Sequence, residues 1–69
     1  MKFEQRLKEI RIKNGLSQQK IADILGILRP QYARYELGTQ AMSIEHYKTL
    51  AEFYKVSVDF LCGRTDEDQ

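Results

Sequence analysis

The stretch LSQQKIADILGILRPQYARYELG, residues 16–38, decides how this chain folds. Apolar residues repeat with the helical period on both sides of Gly26, and glycine commonly follows the last residue of a helix. Ala22 is small enough to let two helices approach closely, and Ile27 can fill the space where they cross. The stretch therefore predicts two short helices that are joined by a tight turn around Gly26.

Glycines and serines extend this pattern over the whole chain. Each of the four glycines follows a segment with helical period: Gly15, Gly26, Gly38 and Gly63. Each of the three serines precedes such a segment, where a hydroxyl can cap free N–H groups: Ser17, Ser43 and Ser57. The helices predicted from these boundaries are Phe3–Asn14, Gln18–Leu25, Arg29–Leu37, Ile44–Tyr54 and Val58–Cys62. Because no apolar segment alternates as a strand does, we expect an all-α, compact five-helix domain.

The length and the charge of the chain limit its organisation. A chain of 69 residues has room for one domain, which we expect to span residues 1–63, followed by a short acidic flexible tail, residues 64–69. Residues 1–63 contain ten Lys and Arg against seven Asp and Glu, a mildly basic balance. Binding to a nucleic acid would therefore depend on placed contacts more than on bulk charge.

The residue types that carry chemistry are scarce. A single cysteine, Cys62, excludes an internal disulfide, and a single histidine, His46, excludes a His/Cys zinc cluster. We expect Cys62 to be a packed thiol in a reducing cytoplasm and His46 to be a surface residue. The chain has no nucleophile–base–acid set, no glycine-rich phosphate loop and no apolar run of membrane-spanning length. We therefore expect no enzymatic activity, no cofactor, no metal and no membrane partner.

Five segments of the chain resemble the Cro/C1-type helix-turn-helix family (XRE family) of phage repressors and small bacterial regulators. The segments are Leu7–Arg11, Gly15–Gln18, Ile21–Gly26, Tyr32–Gly38 and Val56–Gly63. The resemblance implies a lambda-repressor-like fold and a sequence-specific DNA-binding transcriptional regulator, in particular a repressor. Its partner would be a double-stranded DNA operator, with a recognition helix over residues 29–37 in the major groove.

The same resemblance assigns seven residues to the DNA contact: Gln18, Arg29, Pro30, Gln31, Arg34, Thr39 and Gln40. It implies that Gln18 contacts a phosphate and braces the recognition helix, while Arg29 and Pro30 in the first turn touch base edges. Arginine suits this role because its guanidinium can donate two parallel hydrogen bonds to one guanine. Pro30 lacks an N–H group, which removes one donor that a helix N-terminus would offer to a phosphate.

Two further features follow from the resemblance. Arg11 and Glu36 resemble a charge pair that ties the first helix to the third. Members of the class bind as two-fold dimers, so we expect a homodimer, with its interface near the fifth helix and Phe60 as the exposed aromatic residue.

The sequence departs from the family pattern at the recognition helix. Leu28 stands at its N-cap, where serine or threonine is expected, and Leu37 stands where a polar residue is common. Ala41 and Met42 replace basic residues of the following loop. We therefore expect Leu28, Leu37 and Met42 to flank the DNA face. Either phosphate contacts are few, or this surface binds a protein partner, as in an antitoxin or co-regulator.

Overall fold

Five α-helices and no strand make up residues 3–63, the part of the chain that the computed structural model describes. The helices are α1 (Phe3–Lys13), α2 (Gln18–Leu25), α3 (Arg29–Leu37), α4 (Ile44–Tyr54) and α5 (Val58–Leu61). The all-α, five-helix prediction is confirmed, and α2, α3 and α4 have the predicted bounds. α1 and α5 each end one residue earlier than predicted. The expected acidic tail, residues 64–69, lies outside the described residues.

The helix ends have the chemistry that the sequence predicted, with one addition. The hydroxyl of each serine accepts the N–H three residues further on, at the starts of α2, α4 and α5. All four glycines have positive φ. Gly26, at φ 72°, is the C-cap that directly follows the last residue of α2. α4 ends differently, because Lys55 adopts the left-handed conformation at φ 59° without being glycine. A side chain there costs some stability, which the sequence pattern did not indicate.

Every helix contributes to one apolar core. The buried apolar side chains are Leu7, Ile10, Ile21, Ala22, Tyr32, Tyr35, Met42, Tyr47, Leu50, Ala51 and Leu61. Ala22 is fully buried and Ile27 is partly buried against the core, as expected for the crossing of α2 and α3. The two helices of the motif are thus held as one packed unit.

Met42 is part of this core, and the prediction that it flanks an exposed surface is wrong. Its side chain is only 6% exposed, while Leu28 and Leu37 are 75% and 71% exposed. The loop between α3 and α4 turns Met42 inward, because a long apolar side chain is more stable when packed than in water.

The environment of Phe60 also differs from the prediction. Phe60 is only partly buried, but the Arg6 guanidinium lies 4.0 Å from the centre of its ring, so one face of the ring is covered. Arg6 is itself 2% exposed and donates to the carbonyl oxygen of Phe60 at 3.3 Å. This contact joins α1 to α5 through a buried cation that the sequence pattern did not indicate. No helix among residues 3–63 is both long and apolar enough to cross a membrane.

The close approach of α2 and α3 at Ala22 gives a test of the packing. We expect Ala22→Val to lower the free energy of unfolding by about 1–3 kcal/mol, because added methyl groups at a fully buried crossing force the two helices apart. Urea denaturation followed by circular dichroism measures the change. Ala33→Val, at a partly exposed position of α3, is the control for the lower helix propensity of valine. Equal effects of the two substitutions would contradict a tight crossing at Ala22.

Candidate functional site

The Glu36 carboxylate is the centre of a polar network beneath α3. Arg11 from α1 donates to it twice, from Nε to Oε2 at 2.6 Å and from Nη2 to Oε1 at 3.1 Å. A third donor of Arg11 reaches the carbonyl oxygen of Leu16 at 2.9 Å, in the loop that leads to α2. The charge pair that the resemblance implied is therefore present, and it fixes α1 and the start of α2 against α3.

Burial and hydrogen bonding act in opposite directions on Glu36. Burial on its own raises the pKa of a carboxyl group, but hydrogen bonds, chiefly from Arg11, outweigh burial and hold the pKa of Glu36 below its usual value. The hydrogen bond to Glu36 in turn raises the pKa of Arg11. Burial, with the charge of Glu36 adding to it, raises the pKa of Tyr54 to about 12 and that of Tyr32 still further. Both phenols are therefore neutral near pH 7, and Glu36 remains ionised among them.

Gln18 carries the network from the buried carboxylate to the surface. Its Nε2 donates to Glu36 Oε1 at 3.1 Å, and its Oε1 accepts from Arg29 Nη1 at 3.2 Å. Ser17 caps the helix that begins at Gln18, so the backbone beneath this amide is held as well. The exposed guanidinium of Arg29 is thus oriented by a chain of hydrogen bonds that starts in the core.

The outward side of α3 displays both predicted arginines. At 3.6 residues per turn, Arg29, Pro30, Ala33, Arg34 and Leu37 share an arc of about 140° around the helix. Four of these five residues are exposed and Ala33 is partly exposed. Arg29 and Arg34 lie about 7.5 Å apart along the axis. Arg29 thus lies at one edge of the arc and Arg34 at the other.

Gln31 lies beside this arc, and its side chain is held by a hydrogen bond to Tyr35. Its Nε2 donates to the Tyr35 hydroxyl at 3.1 Å, and that hydroxyl lies 3.4 Å from His46 Nδ1 in α4. His46 is therefore partly buried against Tyr35 and is not the plain surface residue that the sequence predicted. No local pattern in the sequence indicates this contact, because it joins residues from two helices.

The remaining predicted residues flank the C-terminal end of α3. Thr39 and Gln40 are exposed, and the Thr39 N–H donates to the Arg34 carbonyl at 3.1 Å. Seven predicted residues thus lie in or near α3. Arg29, Pro30, Gln31 and Arg34 belong to α3, and Gln18 contacts Arg29 at its N-terminal end. Thr39 and Gln40 follow its C-terminal end.

Leu28 and Leu37 do not form one apolar patch. They stand at opposite ends of α3, nine residues and about 13 Å apart along the axis. Leu28 caps no N–H group, as the sequence predicted, which costs about 1 kcal/mol relative to serine. Because Met42 is buried, the three side chains expected to contact a protein partner are not all exposed.

The described residues offer little for other ligands. Within residues 3–63, no group of three His, Cys, Asp or Glu side chains is placed to hold a metal ion. A cleft of about 190 Å³ lies between α1 and the segment from the end of α4 to α5, and none of its lining residues belongs to α3. Its volume is below the range of about 300–1,000 Å³ that is typical of small-molecule sites.

Known proteins resemble this chain in sequence and in structure. The sequence profile of the helix-turn-helix family matches residues 7–61. YonR, an HTH-type transcriptional regulator from the SPbeta prophage of Bacillus subtilis, is 42% identical over 63 residues, which are 91% of this chain and 58% of YonR. The cryptic phage CTXphi transcriptional repressor RstR of Vibrio cholerae is 37% identical, covering 100% of this chain and 63% of RstR.

A solved structure shows the same arrangement. The crystal structure of a transcriptional regulator from Listeria innocua superposes with a TM-score of 0.88 at 29% identity, over 96% of this chain and 62% of that one. The chain thus spans about 60% of the length of these similar proteins.

The lowered pKa of Glu36 predicts how stability depends on pH. Glu36 contributes its full stabilisation above the pKa of an unfolded glutamate, about 4.3, and this contribution is lost as the pH falls through the lower pKa of the folded state. Glu36→Gln removes the charge, so we expect it to lower stability by about 3 kcal/mol at pH 7, because Arg11 loses its buried partner. Urea denaturation between pH 3 and 7 should show a smaller difference between the two proteins at the acid end. A difference that is constant over this range would contradict an ionised Glu36.

Proposed function

Because the chain belongs to the helix-turn-helix family, we propose that it is a sequence-specific DNA-binding transcriptional regulator, a repressor without enzymatic activity. The observation that carries the proposal is the arc on α3, where Arg29 and Arg34 are exposed above a network anchored on Glu36. The name of RstR, a phage transcriptional repressor, supports the repressor assignment. A cytoplasmic location follows from this role.

α3 is the recognition helix of the proposal, and it lies in the major groove. The groove is about 12 Å wide and admits one α-helix. In the proposal Arg29 donates two parallel hydrogen bonds to guanine O6 and N7, worth about 1–3 kcal/mol of discrimination between bases. The hydrogen bond from Arg29 to Gln18 uses one of the five N–H donors of the guanidinium, so four donors remain for a base. The same hydrogen bond restricts the orientation of the Arg29 side chain. Arg34, about two base steps further along the axis, contacts a neighbouring base pair or phosphate.

The contacts to phosphates are few. Gln18 at the start of α2 and Thr39 and Gln40 after α3 are the uncharged candidates, with Gln31 beside the arc. At the N-terminus of α3, Pro30 has no N–H and the Gln31 N–H donates to the Leu28 carbonyl at 3.0 Å. This helix end therefore offers little to an anion. Specificity depends mainly on the arginines, and binding as a homodimer to two half-sites about 34 Å apart doubles their number.

Substitution of the two arginines tests the proposal directly. An operator is first obtained by selecting bound sites from random duplexes. We expect Arg29→Ala and Arg34→Ala each to weaken binding to it by at least about fivefold, since each loses a contact worth about 1–3 kcal/mol, while the melting temperature changes little. Lys48→Ala, an exposed cation on α4, is the matched control for a lost charge. Unchanged operator affinity of both arginine variants in an anisotropy titration would remove α3 as the recognition helix.

The small number of phosphate contacts predicts a weak dependence on salt. A plot of log affinity against log salt concentration has a slope of roughly −0.9 for each neutralised phosphate. We expect a slope much shallower than −10 for this protein, measured by anisotropy between 50 and 200 mM salt. A slope near −10 would mean an extensive phosphate interface and would contradict this part of the proposal.

A further inference from the structure

Leu28, on the proposed DNA face, contributes little to the stability of the fold. It occupies the N-cap of α3 with extended backbone, at φ −80° and ψ 147°, and forms no capping hydrogen bond. The N-caps of α2, α4 and α5 are all serines that accept an N–H. The Leu28 side chain is also 75% exposed, so it gains little from packing within the chain. Serine at this position would suit the fold better on both counts.

The surroundings of Leu28 indicate what kind of group it contacts. A protein-docking patch usually extends over several hundred Å², and no second exposed apolar side chain of the expected patch accompanies Leu28, since Met42 is buried and Leu37 lies at the other end of α3. The residue next to Leu28 is Arg29, the hydrogen-bonded cation of the arc. A single apolar side chain beside a base-reading arginine fits a small apolar group on the DNA.

We propose that Leu28 recognises the 5-methyl group of a thymine in the major groove, next to the guanine that Arg29 contacts. This inference rests on the proposed function. Residues at the N-terminus of a recognition helix contact base edges, and the thymine methyl is the apolar group that a base edge presents in the major groove. The spacing of neighbouring Cα atoms, 3.8 Å, is close to the spacing of neighbouring bases, about 3.4 Å, so the proposal assigns to Leu28 the base pair next to the one that Arg29 contacts. Each half-site then contains a thymine beside a guanine, on either strand.

The test removes the methyl group and nothing else. The full chain is used to select an operator from random duplexes, and each thymine of the operator is then replaced by deoxyuridine, one at a time. Deoxyuridine pairs as thymine does but lacks the 5-methyl group. We expect one thymine per half-site, adjacent to the guanine read by Arg29, to lower the affinity about fourfold when replaced, which is the effect of exposing one buried methyl group.

Three variants connect this loss to Leu28. Leu28→Ser binds the thymine and deoxyuridine operators equally, and its melting temperature rises because serine caps α3. Leu28→Ala, which cannot cap, shows the same loss of discrimination without the gain in melting temperature. Ile12→Ser, at an exposed apolar side chain of α1 outside the proposed DNA face, retains the fourfold discrimination and is the matched control.

The outcomes separate this inference from the function on which it rests. If the chain selects an operator but no deoxyuridine substitution weakens binding, or if Leu28→Ser keeps the full thymine preference, the assignment of Leu28 is overturned and the proposed function stands. If the chain selects no sequence from the duplex library, the proposed function fails and the thymine contact fails with it.

Discussion

The buried carboxylate of Glu36 is the constraint on which the rest of the structure depends. An ionised carboxylate that is removed from water must be paired and hydrogen-bonded, or it destabilises the fold by several kcal/mol. Arg11 and Gln18 meet this requirement from two other elements, so the chain is stable only when α1, the start of α2 and α3 adopt one arrangement. These hydrogen bonds join α1 and α2 to α3 and thereby set where the exposed side of α3 lies.

This arrangement connects the core to the surface through one amide. Gln18 uses its donor on Glu36 and its acceptor on Arg29, so the position of an exposed guanidinium depends on a buried charge. On the other side of α3, the hydroxyl of Tyr35 connects Gln31 to His46 in the same way. Side chains that are restricted before binding lose less conformational entropy when they bind. The proposed function assigns few contacts to DNA, so the restriction of these side chains would add to the discrimination that each contact provides.

Local chemistry explains which parts of the fold could be predicted from the sequence. Serine caps, left-handed glycines and the helical period act within a few residues, so they predicted α2, α3 and α4 to the residue. The pair of Arg11 and Glu36 was implied by the family resemblance and not by spacing. The burial of Arg6, the inward turn of Met42 and the contact of His46 with Tyr35 each depend on residues from elements far apart in sequence. The family resemblance placed Met42 on the surface with Leu28, because basic residues are common in this loop of the family. A loop has no helical period that could have corrected this prediction.

The central claim is that the outward side of α3 enters the groove as part of a preformed unit. An NMR titration of the ¹⁵N-labelled chain with its selected duplex tests it most directly, by following the backbone amides and the side-chain Nε–H groups of Arg29 and Arg34. The account predicts that the largest shifts occur at residues 28–34 and at the two arginine side chains, while the Nε–H signal of Arg11, bonded to Glu36, changes little. Shifts that are concentrated in α5 with α3 unaffected, or a displaced Arg11 signal, would contradict it.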